Sequence, residues 1–199
     1  HITDEIQSRL QEVPSDDEDV CIVELGGTIG DIEGMPFTEA VRQFMQKYPE
    51  NTALCHVTLV PYTTDGEQKT KPTQHSVKEL RSIGLEPDMV VGRCDDELAE
   101  KTKQKIAQFC DVPVSTVFSN PDVDDIYHVP QVLQEESIRE CVIELLDLED
   151  STIDETKWGS GWREKVSREQ DESRNASIAI VGKYDLDDAY LSIFEALKH

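Results

Sequence analysis

"PDMVVGRCDDELAEKTKQKIAQFCDVPVSTVFSN", residues 87–120, sets two short apolar runs around a charged one. PDMVVGR (87–93) and STVFSN (115–120) are short and β-branched, so each reads as a buried strand. DDELAEKTKQKIAQF (95–109) between them is long and polar, with apolar residues at helical spacing, and reads as a helix. A strand, a helix and a strand in that order imply two parallel strands joined by a crossover.

The same alternation continues upstream. SVKELRSI (76–83) predicts a helix, opened by an S-x-x-E capping box at Ser76 and Glu79 and stopped by Gly84. ALCHVTLVPY (53–62) predicts a strand, and TTDGEQKTKPTQ (63–74) a loop after it. PFTEAVRQFMQKY (36–48) predicts a helix with Pro36 in its first turn and Ala40, Val41, Phe44 and Met45 on one face. VCIVEL (20–25) predicts a short buried strand, and residues 1–12 a helix with Ile2, Ile6 and Leu10 on one side.

Downstream, residues 125–148 predict helix with a break near Pro130. The expected fold is α/β, a mostly parallel, doubly wound sheet with helices on both faces, spanning 1–147. Residues 148–175 are acidic, nearly free of aliphatics, and read as a linker with one short helix around Trp162. ASIAIVGKY (176–184) predicts a buried strand and AYLSIFEALKH (189–199) a helix, the start of a second α/β domain over 176–199.

Composition narrows function. The net charge is −23, from 42 acids and 19 bases, which disfavours nucleic acid and anionic membrane as partners. Acids spread through the chain fit a strongly solvated surface of the kind a salt-rich cytoplasm favours. No apolar run approaches the 18 or so residues of a membrane helix, and no signal peptide opens the chain. Five widely spaced cysteines without a C-x-x-C pair read as reduced thiols in the cytoplasm. No G-x-S-x-G, H-E-x-x-H or GxxxxGK[ST] occurs.

Two segments carry candidate chemistry. In CIVELGGTIGDIEG (21–34), Glu24 would end a strand just before Gly26 and Gly27. A carboxylate at a strand's carboxyl end can hold Mg²⁺ together with phosphate oxygens, and glycines let backbone approach a ligand. The other reading is a tight turn with a solvated Glu24. In GEQKTKPTQHS (66–76), Lys69 and Lys71 flank a helix start, a setting that suits a triphosphate. The other reading is a solvated basic loop. Lys101, Lys103 and Lys105 stand two apart on one helix and so point different ways.

ELGGTIGDIEGMPFTEAVRQF (24–44), GEQKTKPTQHSVKELRSIGLEPDMVVGR (66–93) and DVDDIYHVP (122–130) together resemble the CTP synthases, and the resemblance extends from HITDEIQ to IAIVGKY. It implies ATP-dependent amination of UTP to CTP with glutamine-derived ammonia, Mg²⁺ as cofactor, feedback inhibition by CTP, and a homotetramer. It implies a P-loop-type amidoligase fold followed by a glutamine amidotransferase domain. By the same resemblance Glu24 is a Mg²⁺ ligand, and Asp31, Ile32 and Glu33 read CTP. Lys69, Thr70, Lys71, Pro72, Thr73 and Gln74 bind the UTP or CTP triphosphate across a subunit interface, and Lys105 adds a further nucleotide contact. Asp122 and Val123 contact the ATP adenine, and Arg93 lies near the transfer site. The family's N-terminal P-loop and its glutaminase Cys, His and Glu are not among these residues. The chain by itself is therefore expected to be inactive, and a non-catalytic nucleotide-binding or oligomerisation module is the alternative.

Overall fold

A computed structural model describes residues 1–14, 18–123, 126–149, 177–183 and 187–198. Three strands form a parallel sheet in the order β1 (Cys55–Leu59), β2 (Met89–Cys94), β3 (Val117–Pro121). His56 stands beside Val90, and Val90 beside Val117. Helix α1 (Ile2–Glu12) packs on α2 (Met35–Lys47) ahead of the sheet. α3 (Lys71–Ser82) and α4 (Glu100–Cys110) are the crossovers, and α5 (Val129–Glu135) and α6 (Ile138–Leu145) follow β3.

Side chains alternate across a strand, and the sequence uses both faces. Val60, Val90, Cys94 and Val117 meet Val77 of α3 and Ile106, Ala107 and Cys110 of α4. Met89, Val91 and Phe118 point the other way, where Leu133 of α5 and Ile138, Cys141, Val142 and Leu145 of α6 cover them. The expected α/β sheet with helices on both faces is therefore present. The strand order never reverses among the three described strands, so the reversal that defines double winding is not among them.

Local chemistry explains the helix ends. Gly84, at φ +82°, closes α3: its N–H donates to Arg81 O and the Leu85 N–H to Leu80 O, the paired bonds of a Schellman motif. Leu80 and Leu85 are both buried beside it. Arg81 then donates to the carbonyls of Phe109 and Cys110 at the end of α4. Gly92 matters for packing: a Cβ there would stand 2.8 Å from Leu98 Cδ1 and 3.2 Å from Val60 Cγ2.

Several expectations need correction. Residues 20–25 are not a strand; they run unpaired, and Ile22 is 91% exposed. An apolar run becomes a strand only with a ladder partner and cover. The free edge of β1 takes no strand among the described residues, and Val57 and Leu59 on one face of β1 are also exposed. The helix expected from Ser76 begins at Lys71, because Pro72 suits the first turn, where a missing N–H costs nothing. Ser76 is therefore no cap; its hydroxyl donates to Thr73 O at 3.1 Å. Helix α4 begins at Glu100 and not at Asp95, because Leu98 N–H is drawn to Ser119 Oγ and Ala99 N–H to Gln68 Oε1. Pro130 sits in the first turn of α5, and the break falls at Ser137, which adopts φ +63°.

The chain divides into two compact units, His1–Asp150 and Ser151–His199. In the second, residues 177–183 form no strand and are exposed apart from half-buried Ile180, with no ladder partner among the described residues. Lys183 N–H donates to Tyr190 Oη at 2.8 Å, and helix α7 (Leu191–Lys198) follows. The linker reading and its helix around Trp162 lie outside the described residues, apart from residues 148 and 149.

Buried His56 gives the first unit a pH dependence. Ser76 spends its one proton on Thr73 O, so the imidazole Nε2–H is the donor in the 2.8 Å bond between them. Burial pushes the His56 pKa below its ordinary 6.5. The unfolded chain therefore takes up a proton before the folded one does. His56 contributes fully above about pH 6.5, and its contribution fades as pH falls towards the lowered value. Urea unfolding at pH 7.5 and 5.5 should show a loss on acidification in the wild type that is smaller in His56→Gln. Equal losses in both would refute this account.

Candidate functional site

The carboxyl ends of β1, β2 and β3 open into three loops, the edge where parallel α/β sheets take ligands. After β1, residues 62–68 form a tight antiparallel turn, with Tyr62 paired to Gln68 and Gly66 at φ +76°. Thr63 N–H donates to Glu67 O at 2.8 Å, and Lys69 N–H to Pro61 O at 2.8 Å. The chain then passes directly into α3.

This places the six residues of KTKPTQ differently from one another. Lys69, Lys71 and Pro72 are exposed, and Lys71 is the first residue of α3. Thr70 and Thr73 are buried, and Thr58 Oγ1 donates to Thr73 Oγ1 at 3.2 Å. Gln74 Nε2 donates to Thr70 Oγ1 at 2.8 Å. Two ammonium groups thus face outward over a threonine-lined foundation, next to the positive end of the α3 dipole.

The loops after β2 and β3 converge. Arg93 pairs with Asp122 at 3.3 Å, and Asp122 N–H donates to Cys94 O at 2.8 Å. Both charged side chains are more than half exposed, so the pair costs little to open for a ligand. Asp122 and Val123 line a cleft of about 430 Å³ with His128, Gln131, Val132 and Glu135. The cleft offers carboxylates, one amide, one imidazole and two valine faces, a set suited to a flat polar ring.

The remaining candidates stay apart. Glu24 is exposed on the unpaired stretch. Asp31 N–H donates to Thr28 O, and Ile32 and Glu33 lie exposed on a 3₁₀ turn, Ile32–Gly34. Gly30, just before them, lies against α3, where an added Cβ would stand 3.9 Å from Glu79 Oε2. Lys101 and Lys105 of α4 are exposed, while Lys103 turns to Glu136 at 2.6 Å. No group of three or more acidic, histidine or cysteine side chains that could hold a metal ion occurs among the described residues. The Glu24 carboxylate offers hard oxygen donors of the kind Mg²⁺ takes, and a single carboxylate would need phosphate oxygens to complete a shell. Burial pushes the Cys94 and Cys110 thiols up to about 11, which keeps both protonated at neutral pH.

Sequence reasoning missed Gln68, His128, Gln131 and Glu135. No local pattern marks them; each matters only through a neighbour distant in sequence or a cleft the fold creates. No helix among the described residues is long and apolar enough to cross a membrane.

Fold and site together define an α/β domain with a parallel sheet and a basic loop and a polar cleft along its carboxyl edge. A family model described as CTP synthase N-terminus matches residues 1–148. The whole chain is 60% identical over 200 residues to a CTP synthase of Haloquadratum walsbyi and 58% identical over 200 residues to one of Haloarcula hispanica. It is 54% identical over 202 residues to a CTP synthase of Archaeoglobus fulgidus. The chain belongs to the CTP synthase family. It spans 36–37% of the length of these relatives, with all of its own residues covered.

Proposed function

We propose that this chain is the part of a CTP synthase that holds the pyrimidine nucleotide and one side of the ATP site. In this reading ATP phosphorylates the uracil 4-oxygen of UTP. Ammonia released from glutamine then displaces the phosphate to give CTP. The observation that carries the proposal is the pair Lys69 and Lys71, exposed at the N-terminus of α3 on the sheet's carboxyl edge. Their charge stands out in a chain of net −23, and makes this loop a focus for a triphosphate.

Asp122 and Val123, in the cleft beside Arg93, would take the adenine. Asp31, Ile32 and Glu33 would read the cytosine of inhibitory CTP, where the Glu33 carboxylate can accept from an exocyclic amine. Lys105 would add a nucleotide contact. Glu24 would hold Mg²⁺, whose charge offsets that of the phosphates. The P-loop-type fold, the acidic linker over 148–175, the amidotransferase start over 176–199 and the homotetramer belong to the same proposal. Exposed Val57 and Leu59 on β1 are apolar surface available for cover by such neighbours.

The test is a titration of the 199-residue chain with UTP and CTP, alongside an assay of CTP formation from UTP, ATP and ammonia. Nucleotide binding without turnover is expected, because these residues hold no GxxxxGK[ST] to grip the ATP phosphates. A chain that ignores both nucleotides would contradict the proposal.

A further inference from the structure

We propose that Gln68 is the positioning residue of the lysine loop, clamping it to the backbone that leads into α4; the functional half of this inference rests on the triphosphate reading of Lys69–Gln74. Both ends of its amide are used on the same short segment. Nε2 donates to Glu97 O at 2.8 Å, and Oε1 accepts from Ala99 N–H at 2.9 Å. The donor end also reaches Tyr62 Oη at 3.4 Å.

The clamp spans two loops with different duties. On one side, Gln68 directly precedes Lys69, whose own N–H is bonded to Pro61 O. On the other, residues 95–99 connect Arg93 and Cys94 at the end of β2 to the first turn of α4. Ala99, the residue before that helix, has no side chain with which to fix its own geometry. Gln68 supplies from another loop the acceptor for the N-cap N–H that the third helical residue supplies in a capping box, where α4 has Thr102. Lys69 N–H to Pro61 O and Thr63 N–H to Glu67 O hold the loop to itself, and Tyr62, beside Asp96, is a second tie to the 95–99 segment, so Gln68 is the tie that fixes the residue next to Lys69.

The residue type is demanding. An asparagine is one methylene shorter and would not reach both partners from this backbone position. A glutamate keeps an acceptor for Ala99 N–H but sets a carboxylate against the Glu97 carbonyl. A leucine fills similar space and makes neither bond. Fixing a ligand loop before the ligand arrives lowers the ordering cost of binding, so the effect should appear in affinity more than in global stability.

The test compares wild type, Gln68→Glu and Gln68→Leu as the 199-residue chain. Amide hydrogen exchange reads the clamp, and titration with inorganic triphosphate reads its use. In Gln68→Leu, exchange at Lys69 and Ala99 should speed up roughly tenfold, with Val90 and Val117 in the sheet unchanged. Triphosphate affinity should fall roughly tenfold in Gln68→Leu. Gln68→Glu, which keeps the Ala99 bond, should lie between wild type and Gln68→Leu in exchange, while its added charge beside Lys69 weakens triphosphate binding on its own account. Unchanged exchange at Lys69 and Ala99 in the leucine variant would overturn the clamp. Faster exchange with unchanged triphosphate affinity would overturn the positioning role and leave the triphosphate site standing. A wild-type chain that shows the exchange pattern yet binds no triphosphate would sink the triphosphate reading, and the positioning role with it.

Discussion

Replacing Lys69 and Lys71 together by alanine is expected to weaken UTP binding by about a hundredfold or more, with little change in stability. Both side chains are exposed, and neither makes an ion pair with an acid among the described residues, so their removal leaves no buried partner stranded. A charge-assisted hydrogen bond to phosphate contributes about 1.5–3 kcal/mol, which is roughly tenfold to more than a hundredfold in affinity for each lysine. The background charge adds to the loss. In a chain of net −23, a triphosphate approaches against repulsion except where cations stand clear of acids. Wild-type binding should therefore weaken with added salt more steeply than the residual binding of the double variant. Titration calorimetry at two salt concentrations checks both statements. A double variant that binds UTP as tightly as wild type would remove the lysine loop from the site.

The parallel α/β plan could be read from residues 53–121, because each strand there brings its own cover. Val90 and Cys94 face α3 and α4, Met89 and Val91 face α5 and α6, and the apolar runs show this demand directly. The runs at 20–25 and 176–184 look the same in one dimension. They differ only in lacking a partner strand among the described residues, and no local pattern encodes a partner. Helix starts misled for a related reason. Ser76 and Glu79 satisfy a capping pattern, but Pro72 had already opened α3, and the Ser76 oxygen is taken by His56. At the site, Lys69 and Lys71 were legible because charge in an acidic chain is conspicuous. The meeting of Arg93 with Asp122 was not, since the register of β2 on β3 brings together residues 29 apart.

Glu136 carries the largest single effect expected on stability. Its Oε2 accepts from Lys103 Nζ and from Ser119 N–H, each at 2.6 Å, and both charged side chains are only 19% exposed. The N–H of Ser119 lies on β3, the end strand of the sheet, where no further strand pairs with it among the described residues. Glu136 thus closes part of an open sheet edge and neutralises the one lysine of α4 that turns inward. Glu136→Ala strands a half-buried ammonium and an edge N–H at once, and should cost about 2–4 kcal/mol. Glu136→Gln keeps an acceptor for Ser119 but loses the charge, and should cost less. Lys103→Met leaves the Ser119 bond intact but leaves the Glu136 carboxylate without its cation, so it too should cost less than Glu136→Ala. Adding Lys103→Met to Glu136→Ala should then recover part of the loss, because the cation no longer needs a partner. Urea unfolding of the four variants reads the order directly. A double variant that loses the sum of the two single losses would mean the pair is uncoupled, and that Glu136 acts only through the edge of β3.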